Sequence, residues 1–166
     1  MTKKKIQIQQ FLTQFGTIIA LVAVFIVFTS FVSGFIQVKN LLNILRQIAL
    51  LAIISEGFTM CLIVGELDLS FAHVASLTSV IVAGLIFSGM NPLLAIIISL
   101  SVGAAFGIVA GLLVTKVGIP SLITTLATGI IATGLIYAYT KGVSFYGKMP
   151  DSFLALGRGN FGPIPS

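Results

Sequence analysis

The stretch Gly65-Glu66-Leu67-Asp68-Leu69-Ser70 separates two long apolar segments and carries two of the four acidic residues of the chain. A third acidic residue, Glu56, lies within the apolar segment that precedes it. An acidic side chain near the middle of a bilayer costs roughly 2.5 to 3.5 kcal/mol on insertion scales, so it normally faces the interior of a protein or a watery path. Three acids in one region therefore predict that this region carries the function.

The composition is that of a membrane protein. Of the 166 residues, 57% are hydrophobic and 8% are charged, and the mean hydropathy is +1.17. Nine lysines and arginines against four acids give a formal net charge of +5. The basic residues lie at the ends of apolar segments, where they act as orientation signals and contact anionic lipid headgroups. We therefore expect a lipid bilayer, and no nucleic acid, as a partner.

Five apolar segments predict the fold. A helix needs about 20 residues to cross a bilayer, and only the third segment is shorter, so we expect it to be tilted, broken or partly spanning. The segments are residues 11–36, 41–64, 71–87, 93–115 and 121–140. The predicted fold class is all-α, a polytopic transmembrane helix bundle with about five spans.

The charges at the chain ends suggest a division into three parts. Residues 1–10 form a cytoplasmic tail, residues 11–140 the transmembrane domain, and residues 141–166 a polar, external loop. The consecutive lysines that begin at Lys3 stand immediately before the first segment. Basic residues at the start of a span favour its cytoplasmic side, so we expect the N-terminus to lie inside the cell.

Two of the predicted helices carry small or hydroxylated residues on one face. In the fourth segment these are Gly103, Gly107 and Gly111, and in the fifth they are Thr125, Gly129 and Thr133, with Thr124 and Thr128 beside them. A four-residue interval keeps such residues on one side of a helix, and glycines there allow another helix to approach closely. The glycines predict helix packing, and the threonines predict either packing or a polar path.

The residues of the acidic stretch allow more than one interpretation. Asp68 either accepts hydrogen bonds from backbone N–H groups at the start of the third segment or faces a polar path, and the two roles are compatible. Ser70 shares this ambiguity, and Gly65 serves the turn. Glu56 and Glu66 either join helices as hydrogen-bonded carboxyl groups or face water, and a proton relay is the sharper alternative.

The sequence does not contain the patterns of several enzyme and metal sites. His73 and Cys61 are its only histidine and cysteine, and neither has a second ligand at metal-binding spacing. There is also no phosphate-binding P-loop and no set of nucleophile, base and orienting residue. We therefore expect no catalytic residue, no metal and no cofactor.

Several blocks of the sequence occur together in a specific order and spacing. They are Asn40-Leu-Leu-Asn-Ile-Leu-Arg-Gln47, Gly57-Phe-Thr59, Gly65-Glu-Leu-Asp-Leu-Ser70, Leu113-Val-Thr-Lys-Val-Gly-Ile-Pro120, Ile123-Thr-Thr-Leu-Ala-Thr128, Tyr139-Thr-Lys-Gly142, Leu156-Gly-Arg-Gly159 and Ile164-Pro165. Together they resemble the membrane permease subunits of bacterial ABC importers, specifically the ribose-type sugar branch. The resemblance covers nearly the whole chain.

This resemblance implies a multi-pass protein of the bacterial plasma membrane that moves a sugar or related small polar solute inward by alternating access. The implied partners are a separate ATP-binding cassette ATPase subunit, which would hydrolyse ATP, an external solute-binding protein, and a second permease copy or a sister permease. The translocation path or motif is assigned to Gly65, Glu66, Asp68, Ser70, Glu56, Thr125 and Thr128.

The sequence also departs from the family pattern. Glu66 stands where the family commonly has a second glycine, the imidazole of His73 replaces one of the small residues that the family has near positions 72 and 73, and an acid is not expected at Glu56. These differences bear on the substrate. Family members are usually about twice as long and have a cytoplasmic coupling helix, so we expect this chain to be the N-terminal half.

Other functions remain open at this stage. A branched-chain amino-acid permease is the nearest alternative within the same class, and Asp68 in its Gly-x-x-Asp-Leu-Ser arrangement favours a sugar. A small membrane scaffold that uses the glycine faces is a second alternative. A proton-coupled carrier that uses Glu56 or Glu66 is a third.

Overall fold

The computed structural model describes residues 3–158, 160–161 and 164–165. In chain order its elements are α1 Lys3–Phe31, α2 Val38–Ile63, α3 Phe71–Phe87, α4 Pro92–Leu112, a π-helical turn Leu113–Val117, α5 Ser121–Thr140, α6 Asp151–Arg158, β1 Asn160–Phe161 and β2 Ile164–Pro165. Within these residues, α1, α2, α4 with its π-helical turn, and α5 are long and apolar enough to cross a membrane, and α3 is shorter, with 17 residues. The predicted all-α membrane fold with a short third segment is confirmed.

The helix ends differ from the predicted ones where a local turn intervenes. Helices α3 and α5 have the predicted bounds. Helix α1 ends at Phe31 and not at the predicted Ile36, because the following turn passes through Gly34 in the left-handed conformation, with a φ of 82°. Within residues 141–166, predicted as a polar loop, the structure has the short helix α6 and the antiparallel pair β1–β2.

The chain forms two compact units, Met1–Ala49 and Leu50–Ser166. In the first unit the turn after α1 folds back on that helix. The ring of Phe35 lies with its centroid 5.2 Å from that of Phe25 and 5.6 Å from that of Phe28, and Asn40 donates a 2.7 Å hydrogen bond from Nδ2 to the Phe35 carbonyl. These contacts fix the connection between α1 and the start of α2.

In the second unit α3 packs against both α4 and α5. The buried apolar residues of this unit are Leu77, Ile86, Ala95, Ala110 and Ala132. Alanines dominate this core because membrane helices gain contact by bringing their backbones close together, which large side chains would prevent. Most of the large apolar side chains remain exposed, as expected for helix faces that contact lipid.

The predicted glycine face of α4 is used in part within the described residues. A Cβ on Gly103 would lie 3.2 Å from Cγ2 of Thr78 on α3, whereas Cβ atoms on Gly107 and Gly111 would have no described neighbour within 4 Å. Tighter approaches occur elsewhere, where Gly84 of α3 lies against the Tyr139 ring and Gly129 of α5 lies against His73. Close packing in this unit therefore depends on residues of α3 as much as on the glycine face of α4.

Candidate functional site

The connection between α2 and α3, residues 64–70 and here called the acidic loop, begins with a helix-ending motif. The Gly65 N–H donates to the Leu62 carbonyl and the Glu66 N–H to the Cys61 carbonyl, each at 3.0 Å. This pair of bonds is the Schellman arrangement, which requires a left-handed residue, and Gly65 has a φ of 82°. The glycine thus ends α2 and turns the chain into the loop.

The carboxylate of Asp68 holds the other end of the acidic loop. Its Oδ1 accepts a 2.7 Å hydrogen bond from the Ser70 N–H and a 2.6 Å bond from the Ser70 hydroxyl. Ser70 is buried and its carbonyl accepts from the Val74 N–H in the first turn of α3. Asp68 therefore satisfies a backbone donor at the helix start, and a charged acceptor makes both bonds stronger than neutral ones.

The middle of the acidic loop is bound to the first turn of α5. The Leu67 N–H donates to Ser121 Oγ at 3.2 Å, and Thr125 Oγ1 donates to the Leu67 carbonyl at 3.4 Å. Both backbone polar groups of one loop residue are thus satisfied by α5. Bonds of this kind restrict a loop that has no regular backbone pairing of its own.

The two glutamates lie differently from Asp68. Glu66 is exposed within the acidic loop, and Glu56 is exposed on α2, seven residues before its end, which is about 10 Å along the helix axis. Among the described residues neither carboxylate accepts a hydrogen bond. The structure thus brings Gly65, Glu66, Asp68, Ser70 and Thr125 together and leaves Glu56 apart from them.

Thr128 forms no hydrogen bond with the acidic loop among the described residues. Its hydroxyl donates to the Thr124 carbonyl at 2.7 Å, and both residues are buried. They line a cavity of about 410 Å³ between α4 and α5, and the Thr124 hydroxyl has no hydrogen-bond partner in the described part of the chain. The cavity's other lining residues are Ala105, Phe106, Val109, Leu113, Ile119, Ile123, Ala127 and Ile131.

A second cavity, of about 350 Å³, lies between α3 and α5 and was not predicted from the sequence. It is lined by Ala72, His73, Ser76, Thr133, Ile136 and Tyr137. His73 and Ser76 are three residues apart on α3, and Thr133 and Tyr137 are four apart on α5. These intervals place each pair on one helix face. That signal was present in the sequence, but the sequence did not show that the two faces meet.

Within the described residues no group of three His, Cys, Asp or Glu side chains is placed to hold a metal ion. The polar groups near the acidic loop are instead carboxylates, hydroxyls and backbone amides. This arrangement can fix a loop and form hydrogen bonds with a polar solute.

Comparison with known proteins gives a consistent result. Residues 40–155 match the family model described as "Branched-chain amino acid transport system / permease component". The ribose import permease protein RbsC of Bacillus subtilis is 36% identical over 164 residues, which are 98% of this chain and 51% of that protein. RbsC of Haemophilus influenzae is 32% identical, over 96% of this chain and 50% of that protein.

A relative named for another sugar also matches. The D-allose transport system permease protein AlsC of Escherichia coli is 29% identical over 87% of this chain and 45% of its own length. The chain therefore spans about half the length of the curated relatives it matches. No solved structure matches the chain.

Proposed function

Because the chain belongs to the family of branched-chain amino acid transport system permease components, we propose that it forms the N-terminal half of the transmembrane permease of an ATP-binding cassette importer. The proposed cargo is a sugar or a related small polar solute, carried inward. The supporting observation is the 36% identity to a ribose import permease over 98% of this chain. The chain itself is a multi-pass protein of the bacterial plasma membrane.

The proposed mechanism is alternating access. A loaded external solute-binding protein docks on the outer face, and ATP binding and hydrolysis in a separate subunit shift the helices of this chain and of a second permease copy or sister permease. A solute site near the bilayer midplane is then exposed to one side at a time. The permease contributes shape and differential contacts, and no covalent chemistry.

Within this scheme we assign the acidic loop to the translocation path. The exposed carboxylate of Glu66, together with that of Glu56, would face the solute or its water. Asp68, Ser70 and Gly65 would give the loop its shape, because they hold the end of α2 and the start of α3.

The two threonines of the proposed path have different supporting observations. Thr125 would fix the loop to α5 through the Leu67 carbonyl. Thr128 would act by packing and not by direct contact, because it is buried and lines the mainly apolar cavity between α4 and α5.

A branched-chain amino acid is the second candidate cargo, and the description of the matching family model favours it. A zwitterionic amino acid needs a partner for each of its charges. Among the described residues, Asp68 accepts hydrogen bonds from Ser70, whereas the carboxylates of Glu56 and Glu66 accept none, which leaves the two glutamates to meet an ammonium group. A direct measurement of solute uptake distinguishes the two candidate cargoes.

The test is uptake of radiolabelled D-ribose by cells that express this chain with the remaining half of its permease, the ATPase and the binding protein. We expect uptake that disappears when the P-loop lysine of the ATPase is replaced and that persists with a protonophore. Competition by leucine but not by D-allose would favour the amino-acid cargo. Assembly with the ATPase without uptake of either solute would favour the scaffold.

Charge-neutralising variants distinguish the importer hypothesis from that of a proton-coupled carrier. Glu56→Gln and Glu66→Gln preserve side-chain shape and remove the titratable group. An importer keeps its dependence on ATP in both variants, whatever the change in rate. Uptake that needs no ATP and is lost in either variant would contradict the proposal.

A further inference from the structure

Two cavities flank α5 in the described part of the chain, and their chemistry differs. The cavity between α3 and α5, here called the polar groove, presents the imidazole of His73 and the hydroxyl groups of Ser76, Thr133 and Tyr137. The cavity between α4 and α5, here called the apolar groove, is lined by aliphatic and phenylalanine side chains and two buried threonines. One helix thus separates a polar surface from an apolar one.

The polar groups of the groove are free to receive a ligand. The hydroxyls of Ser76 and Thr133 donate to the Ala72 and Gly129 carbonyls, at 2.9 Å and 3.0 Å, within their own helices. Each hydroxyl oxygen keeps its acceptor lone pairs. In the described residues neither the His73 ring nor the Tyr137 hydroxyl has a hydrogen-bond partner.

The His73 ring has a defined position in this groove. A Cβ placed on Gly129 would lie 2.9 Å from its Nδ1 and 3.2 Å from its Cγ, so the ring rests directly on the α5 backbone. Glycine at this position is what allows the approach. The exposed imidazole therefore lies at the junction of α3 and α5, against the α5 backbone.

The two grooves are compatible with different surroundings in the membrane. An apolar groove between membrane helices is compatible with a lipid chain or an apolar helix. A histidine and three hydroxyl residues gathered between two such helices instead mark the protein interior or a water-filled route, because lipid offers no hydrogen bonds.

We propose that the polar groove is the surface by which this half of the permease contacts its solute. A polyhydroxylated solute would lay an apolar C–H face on the Tyr137 ring and form hydrogen bonds with His73, Ser76 and Thr133. A volume of about 350 Å³ lies within the range of small-ligand sites, which is roughly 300 to 1,000 Å³. This inference rests on the proposed transport function and adds the residues that contact the cargo.

Thiol labelling in the assembled transporter tests whether the groove is wet. In a Cys61→Ser background, Ser76→Cys and Thr133→Cys place a thiol in the polar groove, and Ala105→Cys and Ala127→Cys place one in the apolar groove. A charged, membrane-impermeant methanethiosulfonate reacts with the thiolate, which forms in water and not in an apolar surrounding. We expect the polar-groove thiols to react at least about tenfold faster, the ratio given by one unit of thiol pKa.

Protection tests whether the solute occupies the groove. D-ribose should slow the labelling of Ser76→Cys and leave the labelling of Ala127→Cys unchanged. Equal labelling rates in the two grooves would overturn the inference. Rapid labelling without protection by D-ribose or leucine would also overturn it, because the groove would then be wet but not a cargo site.

Uptake kinetics provide an independent readout. Tyr137→Leu keeps apolar volume but removes the ring, and the lost aromatic contact should raise the KM for D-ribose about two- to tenfold. Tyr137→Phe keeps the ring and should therefore have the same KM as the unchanged chain. Tyr146→Leu, at a loop tyrosine that is 87% exposed, is the control. An unchanged KM in Tyr137→Leu, with uptake intact, refutes the groove while the importer proposal stands. Protection by leucine alone refutes the sugar cargo while the groove stands.

Discussion

The backbone N–H of Leu67 donates to the hydroxyl of Ser121 across 54 positions of sequence, at 3.2 Å. This bond joins the acidic loop to the first turn of α5, and Thr125 adds a second bond to the carbonyl of the same residue. The loop that follows α2 is therefore coupled to the helix that separates the polar groove from the apolar groove. A movement of α5 would carry the acidic loop with it.

Removal of the Ser121 hydroxyl should loosen the acidic loop. Ser121→Ala leaves the Leu67 N–H without its protein acceptor, and an exposed bond of this kind contributes about 1 kcal/mol. We expect faster hydrogen exchange of the Leu67 amide, measured by mass spectrometry on peptides that cover residues 64–70. The control is Ser101→Ala, whose hydroxyl bonds only within α4. Unchanged exchange in Ser121→Ala would show that the bond does not hold the loop.

Removal of the Asp68 carboxylate should destabilise the start of α3. Asp68→Ala deletes the acceptor of two bonds from Ser70, and loss of a helix-start acceptor costs about 0.5 to 2 kcal/mol. We expect a lower thermal midpoint in detergent, and a smaller decrease for Asp68→Asn because the amide oxygen still accepts. Equal midpoints for Asp68→Ala and the unchanged chain would contradict this role.

The left-handed conformation of Gly65 predicts a cost for any side chain there. Gly65→Ala meets no steric neighbour within 4 Å, so its effect isolates the backbone conformation, which costs an L-residue roughly 1 to 2 kcal/mol. Gly57→Ala is the matched control, because Gly57 lies inside α2, also has no neighbour within 4 Å and does not have a positive φ. We expect a lower thermal midpoint for Gly65→Ala and an equal or higher one for Gly57→Ala. The reverse order would rule out the helix-ending role.

The packing of Tyr139 on Gly84 predicts a strong steric effect. A Cβ on Gly84 would lie 2.7 Å from Cε1 of Tyr139, and overpacking of this kind costs about 1 to 3 kcal/mol. Gly107→Ala, on the open side of α4, should be neutral or stabilising by up to about 1 kcal/mol. Thermal unfolding in the same detergent measures both, and a stabilised Gly84→Ala variant would show that α3 and α5 are not packed in this way.

Displacement of His73 without its removal provides a last prediction. Gly129→Ala pushes a methyl group against the imidazole, and Gly134→Ala adds one on the same helix with no neighbour within 4 Å. If His73 contacts the solute, Gly129→Ala should raise the KM for D-ribose, and Gly134→Ala should not. His73→Ala alone should raise the KM as well, and combining it with Gly129→Ala should add little, because both changes act on the same imidazole. An unchanged KM in Gly129→Ala, or a KM restored in the double variant, would remove His73 from the solute site.

The sequence alone determined the class of protein and most of its helices. Segment length and hydropathy indicate membrane spans without knowledge of any contact, because the bilayer itself sets the length that a helix needs. Local signals fixed the bounds of α3 and α5, since Pro120 precedes α5 and Gly89 follows α3. The helix end at Phe31 was not found, because a glycine turn inside an apolar run does not change its hydropathy.

Only the tertiary structure decided which helix faces meet. A four-residue interval placed Gly103, Gly107 and Gly111 on one side of α4, but it did not indicate that only Gly103 has a described neighbour on another helix. The pairing of Leu67 with Ser121, and of His73 with Gly129, was likewise absent from the local pattern. The physical reason is that every face of a lipid-embedded helix can be apolar, so periodicity does not set its rotation, and the rotation follows from close packing of small residues across the whole unit.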